Sequence, residues 1–267
     1  MISLRACCFD LSKRVACRML WPMPDFDEQW KHVSGEEAVA ALMRPQQYAC
    51  NDQRVKEFRK NMGIRSWFNK NALIEGKVCL DAGCGPGRWT CAMMRMGAAR
   101  VDSFDLSEEA VKCCQEINPK AYVHNIFDLE PNPVYDVVVS WGVIHHTPDP
   151  RGAFTKLCGL VKPGGLLYVM LYDKKNDWNY DGYRGDDCVE KHAEWEGLSF
   201  DEKVKKCEDA VAEKGGNAHG WFDAFNPKYN YSYTADEVRA WYAEEGFVKV
   251  RTGCIKYNIN MVGQKPA

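Results

Sequence analysis

The sequence lacks several features that would point directly to a class of protein. No apolar run approaches the ~18–20 residues needed to cross a bilayer, and no CxxC pair occurs among the 13 cysteines to suggest a zinc knuckle or a redox dithiol. An excess of basic residues is also missing, since the formal net charge is -2. We therefore expect no membrane span, no metal and no nucleic-acid partner, because binding to phosphate backbones depends on a basic surface.

The bulk composition is that of an ordinary globular protein. With 267 residues, 46% of them hydrophobic, the chain fits one large α/β domain with an insertion. The scattered cysteines favour a reducing compartment, so we expect a cytoplasmic protein. The sequence does not give the oligomeric state, and both a monomer and a homodimer stay open. Near the start, Arg5, Lys13, Arg14 and Arg18 alternate with apolar residues. This pattern predicts an N-terminal helix, although a targeting peptide has a similar composition.

Short apolar runs alternate with amphipathic segments from residue 77 onward. This alternation predicts right-handed crossovers and a doubly wound, mostly parallel sheet with helices on both faces. Two further runs near the C-terminus have no helix between them, so they must pair as an antiparallel hairpin. Together the predicted strands form one seven-stranded sheet of an α/β fold. Its strands are expected at about 78–80, 101–105, 121–124, 135–140, 166–171, 247–252 and 256–262.

Capping signals mark the starts of several helices. Asp149 and Pro150 are typical of a helix start, and Pro163-Gly164-Gly165 is expected to separate that helix from the fifth strand. Two capping boxes follow, Ser199 with Glu202 and Thr234 with Glu237.

Residues 173–233, between the fifth and sixth strands, are polar and rich in aromatics, which predicts an inserted lid. We divide the chain into an N-terminal helical cap at 1–70 and a main domain at 71–267.

The sharpest local signal is the run Asp81-Ala-Gly83-Cys-Gly85-Pro-Gly87, where the first strand turns into the first helix. Glycines let the backbone turn tightly and approach a ligand, and a helix N-terminus presents free N–H groups. A tight strand-to-helix turn without a ligand is the alternative. The dinucleotide fingerprint requires glycine at the position of Arg88, so a nicotinamide cofactor is disfavoured. Asp105 ends the second strand, where a carboxylate can accept both hydroxyls of a ribose.

In combination these segments resemble the small-molecule branch of the class I S-adenosylmethionine-dependent methyltransferases, which have a Rossmann-like fold. The resemblance rests on VCLDAGCGPGRWT, FDLS, NIFDL, VVVSWGVIHHTPDP and LVKPGGLLYVMLYD, and it covers about residues 77–172. It implies an enzyme that transfers a methyl group from S-adenosylmethionine to a small-molecule acceptor and releases S-adenosylhomocysteine. It leaves open whether the acceptor atom is oxygen, nitrogen, carbon or sulfur.

The resemblance also implies a cofactor-binding role for individual residues. Asp81 would hold the ammonium group of the cofactor, directly or through water, and Gly83 and Gly85 would flank its methionine part. Asp105 would bind the ribose. Three more residues would line the cofactor near the transferred methyl group: Ser140, Trp141 and Gly142.

The adenine ring would lie between Leu106 and Ile126. Asn125 stands where the family often has Asp, the residue that accepts a hydrogen bond from the adenine amine. The side-chain oxygen of Asn125 can accept the same bond, although the orientation of an amide is less certain.

His145 and His146 follow the fourth strand and are candidates for a general base, since an unperturbed histidine titrates near neutral pH. The alternative is that they only hold the loop in place. Methyl transfer also depends on in-line placement of the nucleophile, so the pocket walls matter. The residues expected to line the substrate pocket are Trp30, Tyr48, His145, Tyr172, Trp221 and Tyr229, with ordinary packing as the alternative for these aromatic side chains.

Two other functions remain open. A protein of the same fold can bind the cofactor without catalysis, because fold alone does not give activity. The acceptor can also be a protein. DNA or RNA amino methylation is disfavoured, because SWGV stands after the fourth strand in place of an NPPY or DPPY tetrapeptide.

Overall fold

A computed structural model describes residues 50–63, 72–174, 192–215, 218–253 and 258–267. The strands of these residues are β1 (Val78–Ala82), β2 (Arg100–Asp105), β3 (Tyr122–Val123), β4 (Tyr135–Trp141), β5 (Val161–Asp173), β6 (Ser232–Tyr233), β7 (Val248–Thr252) and β8 (Asn258–Gln264). The main helices are α1 (Asp52–Asn61), α2 (Arg88–Arg95), α3 (Glu108–Gln115), α4 (Pro150–Cys158), α5 (Phe200–Lys214), α6 (Ala218–Phe225) and α7 (Ala235–Glu244).

The strands form one sheet in the order β3-β2-β1-β4-β5-β8-β7, and β6 pairs with β5 off this path. Strands β1 to β5 are parallel, whereas β8 runs antiparallel to both β5 and β7. The predicted α/β class, the mostly parallel sheet and the antiparallel C-terminal hairpin are confirmed. The difference from the predicted seven strands is β6, whose two residues are too few to give a pattern in the sequence.

Two apolar layers cover the sheet. One contains Phe154 and Leu157 of α4 with Val238 and Tyr242 of α7. The other contains residues of α1 and α2, such as Phe58 and Trp89. Strands buried on both faces read as continuous apolar runs, which is why β4 and β5 were easy to find from the sequence.

The start of β5 differs from the prediction. Val161 already pairs with Tyr135, so Pro163, Gly164 and Gly165 lie inside the strand and do not precede it. The register shifts between Tyr135 and Val137, and Gly164 has a φ of +77°. A proline without an N–H donor is tolerated at such an irregularity.

The predicted caps are confirmed. Asp149 accepts a hydrogen bond from the Gly152 N–H at the start of α4. Ser199 and Thr234 both form complete capping boxes, with Glu202 and Glu237.

The insertion has a hydrophobic cluster of its own, which we call the insertion core. It consists of Trp195, Phe200, Cys207, Trp221, Phe222, Ala224 and Phe225. The sequence predicted only α5 here, and α6 was missed because its eight residues are short for a periodic signal.

Residues 1–49 and 64–71, which make up most of the predicted helical cap, lie outside the described residues. The division at residue 70 stays a prediction. Within the described part of the chain, every helix is too short or too polar to traverse a bilayer.

A disulfide joins Cys50 to Cys91, with the two Cα atoms 5.6 Å apart. It ties the residue before the N-cap of α1 to the middle of α2. This bond could not be predicted from the sequence, because disulfide pairing depends on spatial proximity that spacing does not give. Since disulfides persist mainly in oxidising environments, the bond does not support the expected reducing compartment.

We predict that breaking this disulfide destabilises the protein without changing its fold. The bond closes a loop between residues 41 positions apart, and loss of such a cross-link typically costs about 2–4 kcal/mol of unfolding free energy. Denaturant unfolding of Cys50→Ala with Cys91→Ala measures the cost. Peptide mapping without reduction should recover the Cys50 and Cys91 peptides joined, and Cys50 found alkylated under these conditions would contradict the bond.

Candidate functional site

The carboxyl ends of β1, β2 and β4 meet at one edge of the sheet, and the glycine-rich loop lies there. Gly83, Gly85 and Gly87 have φ values of +78°, +51° and +89°, a region that side chains rarely adopt. A Cβ at Gly83 would lie 2.4 Å from the Val143 side chain, and one at Gly87 would lie 3.1 Å from the Cys114 sulfur. The loop therefore requires glycine, as the sequence predicted.

Asp105 holds this loop from the end of β2. Its Oδ2 accepts a hydrogen bond from the Gly85 N–H at 2.8 Å, and its Oδ1 accepts one from the Ser107 N–H at 3.0 Å. The two oxygens of a carboxylate offer about four acceptor sites, so a group of this type can accept several hydrogen bonds at once. The side chain thus orders the loop and remains suited to bind a diol.

Asp81 is fully buried at the end of β1. Thr90 of α2 donates a hydrogen bond to its Oδ2 at 2.7 Å, and the Thr90 and Ser103 hydroxyls are 2.8 Å apart. Burial raises the pKa of Asp81 from 3.8 to about 7, against the opposing hydrogen bond from Thr90, and the Asp105 charge raises it further. A buried carboxyl group poised near neutrality is typical of a functional site.

Several buried polar atoms at this edge have no hydrogen-bond partner within the described ranges. They are Asp81 Oδ1, Ser140 Oγ and Trp141 Nε1. Asp81 is paired across the sheet with Val139, so Ser140 and Trp141 lie just beyond it on the neighbouring strand. Buried polar groups without partners cost free energy, and they usually have an explanation such as a ligand.

The residues expected at the adenine lie on one side of this loop. Leu106 is half-buried and follows β2, while Ile126 is buried in the core. Asn125 caps the short 3-10 helix Ile126–Asp128, and its Oδ1 accepts a hydrogen bond from the Phe127 N–H at 3.0 Å. This bond fixes the amide orientation that the sequence left open, and it leaves the oxygen one further lone pair.

The structure adds residues that sequence reasoning missed. The Arg88 guanidinium lies 4.5 Å from the Trp89 ring and 5.0 Å from the Trp141 ring. The same guanidinium pairs with Glu57 of α1 at 2.8 Å. The Arg88 guanidinium therefore links Glu57 of α1 to the indole rings at the site. The position of Arg88 after the third glycine was the signal that could have indicated this role.

Gly142 and the two histidines follow β4. Gly142 has a φ of +77°. His145 and His146 lie in the 3-10 helix Ile144–His146 and are both buried. The His146 Nδ1 is 2.9 Å from the Tyr229 carbonyl oxygen, and the His145 carbonyl accepts a hydrogen bond from the Tyr231 N–H at 3.0 Å. The insertion thus holds residues 142–146, which we call the histidine loop, in agreement with the structural alternative for these residues.

The residues expected to line a substrate pocket separate into three groups. Trp30 and Tyr48 lie outside the described residues. Tyr172 packs against His145 with ring centroids 4.0 Å apart, and Tyr229 contacts His146 through its carbonyl, so both adjoin the histidine loop. Trp221 is buried in the insertion core and donates a hydrogen bond from Nε1 to the Gly215 carbonyl.

A family profile described as a methyltransferase domain matches residues 55–252, well over half of the chain. The chain belongs to this methyltransferase domain family. The prediction of a class I methyltransferase, made from the loop and strand motifs, is confirmed.

Curated relatives of this methyltransferase domain match over a limited length. The ubiquinone biosynthesis O-methyltransferase of Shewanella sp. (strain ANA-3) is 35% identical over 112 residues, which are 38% of this chain and 46% of the relative. The chain spans about half the length of the curated relatives it matches.

Solved structures share the fold. A possible exported protein from Bordetella parapertussis matches with a TM-score of 0.54 and 16% identity, over 90% of this chain and 79% of that one. The magnesium protoporphyrin IX methyltransferase of Synechocystis PCC 6803 with bound SAH matches with a TM-score of 0.51 and 14% identity, over 91% and 95% of the two chains. At these identities the likeness shows the fold alone.

The raised pKa of Asp81 predicts a pH-dependent effect of Asp81→Asn. The folded protein retains the Asp81 proton up to about pH 7, whereas the unfolded chain releases it near 3.8. The wild type therefore loses stability as pH rises between these values, and a neutral amide avoids this loss. The variant should gain up to about 4 kcal/mol of unfolding free energy near pH 8, and less near pH 5.

Denaturant unfolding of the ligand-free protein at both pH values measures this gain. Asp136→Asn is the control with the opposite sign. Burial of Asp136 is outweighed by hydrogen bonds from the Val78 N–H and Lys162, which lower its pKa overall. An equal effect of Asp81→Asn at the two pH values would show that the buried carboxyl does not titrate in this range.

Proposed function

We propose that this protein binds S-adenosylmethionine at the glycine-rich loop and transfers its methyl group to a small-molecule acceptor. The observation that carries the proposal is the set of buried atoms without hydrogen-bond partners among the described residues: Asp81 Oδ1, Ser140 Oγ and Trp141 Nε1. They lie at the same edge as the loop and Asp105. Membership of a methyltransferase family supports the same conclusion.

The residues at this edge fit the chemical groups of the cofactor. The Asp81 carboxyl, with one oxygen unpaired in the described chain, suits the ammonium group. Asp105 suits the ribose hydroxyls because it is a half-buried carboxylate at the carboxyl end of β2, beside the loop whose Gly85 N–H donates to it. Gly83 and Gly85 allow close approach of the backbone, and Leu106 and Ile126 offer apolar faces to adenine. When bound, the cofactor supplies an activated methyl group on a sulfonium.

The contacts of the insertion at this edge of the sheet favour a small acceptor. Residues 229–231 bond to the backbone and ring of the histidine loop, so the insertion contacts the segment that follows β4. A folded protein substrate would have to displace these contacts. The relatives named O-methyltransferases support an oxygen nucleophile, but their likeness covers less than half of this chain.

His146 is the better candidate for a base that takes the acceptor proton. A carbonyl oxygen only accepts hydrogen bonds, so Nδ1 of His146 must carry the hydrogen that faces Tyr229. The lone pair of the neutral ring then lies on Nε2. Burial lowers the pKa of His146, which keeps the ring neutral and able to accept a proton near pH 7. His145 is proposed as its packing partner.

Release of S-adenosylhomocysteine in the presence of an acceptor separates this proposal from a non-catalytic cofactor-binding role. A cytoplasmic location and the monomeric or dimeric state remain predictions from the sequence.

The ribose assignment predicts the effect of Asp105→Asn. An amide keeps one oxygen to accept from the Gly85 N–H, so the loop is retained, but the charge and one acceptor are lost. Affinity for S-adenosylhomocysteine should fall by about tenfold to a hundredfold, the value of one or two charge-assisted hydrogen bonds. Isothermal titration calorimetry measures the loss.

Asp102→Asn is the matched control on the same strand. Asp102 accepts a hydrogen bond from the Tyr135 hydroxyl and pairs with Arg100, so its amide variant should bind S-adenosylhomocysteine like the wild type. Equal affinity of Asp105→Asn and the wild type would refute the ribose assignment. No binding heat with the wild type would refute the proposed function.

A further inference from the structure

The insertion contributes a carboxylate to the histidine loop. Asp223 lies on α6, and its Oδ2 accepts a hydrogen bond from the Tyr172 hydroxyl at 2.5 Å. Tyr172 is near the carboxyl end of β5, next to the end of β4 in the sheet. This bond therefore joins the insertion to the edge of the sheet that carries the proposed cofactor site.

The ring of Tyr172 packs against both histidines, and we call His145, His146 and Tyr172 the histidine cluster. The Tyr172 ring centroid is 4.0 Å from that of His145 and 5.4 Å from that of His146, and the two imidazoles are 4.2 Å apart. Because close-packed rings cannot rotate independently, the group that fixes the Tyr172 hydroxyl also fixes the imidazoles.

Packing of α6 holds Asp223 in position. Its neighbours Trp221, Phe222 and Phe225 are buried in the insertion core, while Asp223 itself is only half-buried. The chain after α6 then contacts the histidine cluster again, through the Tyr229 carbonyl and the Tyr231 N–H. The same segment thus supplies a carboxylate, a carbonyl and an N–H to this cluster.

We propose that Asp223 is a positioning residue for methyl transfer, which orients the histidine cluster through Tyr172 and stabilises a proton on Nε2 of His146. This inference rests on the proposed function, because it assigns a further role at the edge of the sheet where methyl transfer is proposed. Asp223 does not act on the acceptor itself. The base is therefore oriented correctly only when the insertion packs correctly and places the Asp223 carboxylate against Tyr172.

The electrostatic surroundings of His146 agree with this role. His146 faces His145 in its own loop, Tyr172 from β5, and Asp223 and the Tyr229 carbonyl from the insertion. Burial lowers the pKa of His146, whereas the negative charge of Asp223 and the bond to Tyr229 raise it. Loss of the Asp223 charge should therefore lower the pKa of His146 further, because the effect of burial is then opposed less.

The test is the titration of the histidine rings by NMR in the full-length protein, labelled with carbon-13 in histidine. His146→Gln assigns the His146 signal. In Asp223→Asn, which retains an oxygen to accept from Tyr172, the midpoint of the His146 titration should move to lower pH by roughly half a unit to one unit. Asp223→Glu should restore the midpoint toward the wild-type value.

Asp209→Asn is the matched control, since Asp209 is an exposed carboxylate on α5 of the same insertion. This control should leave the His146 signal unchanged. An Asp223→Asn titration identical to the wild type, including a ring that stays neutral in both, would overturn the proposal. If Asp223→Asn does not fold, Tyr172→Phe replaces it, and unchanged His145 and His146 signals in that variant would overturn the proposal as well.

Calorimetry with S-adenosylhomocysteine on the same samples separates this inference from the proposed function. Asp223→Asn should bind this ligand within about twofold of the wild type, because the carboxylate lies outside the cofactor loop. Failure of the wild type to bind would refute the proposed function, while the shift of the His146 midpoint would still assign the orienting role to Asp223. If Asp223→Asn binds S-adenosylhomocysteine more weakly while the midpoint of the His146 titration is unchanged, the positioning role is overturned.

Discussion

Parallel pairing of β1 with both of its neighbours is the constraint on which the site depends. Asp81 pairs with Ser103 of β2 on one side and with Val139 of β4 on the other. In a parallel sheet the strands end at the same edge, so this register brings Asp105 and Ser140 level with the glycine-rich loop. A shift of one residue in either pairing would turn alternate side chains to the opposite face and disperse the site.

The buried groups at this edge carry a cost that the rest of the fold offsets. A buried Asp81 carboxyl with a raised pKa, three polar atoms without partners in the described chain, and glycines in left-handed conformations all destabilise the ligand-free protein. The apolar layers on the two faces of the sheet supply the opposing free energy. Such local cost is reasonable where a ligand with an ammonium group and hydroxyls replaces the missing partners.

Most of the sheet and the conformation of the glycine-rich loop could be predicted from the sequence because their signals are local. The strand β4, the caps of α4, α5 and α7, and the need for glycine at Gly83 follow from short stretches of chain. What could not be predicted depends on distant pairing. The Cys50–Cys91 bond and the contact between Tyr172 and Asp223 join residues 41 and 51 positions apart.

The proposed function requires that one ligand satisfy both carboxylates and the neighbouring polar atoms at once. A crystal structure of the protein with S-adenosylhomocysteine tests this requirement most directly. Both ribose hydroxyls are expected within hydrogen-bond distance of Asp105, and the ligand or a bridging water is expected to supply a partner for the Asp81 Oδ1. A ligand bound elsewhere, with Asp81 and Asp105 contacting neither it nor such a water, would show that this edge is not the cofactor site.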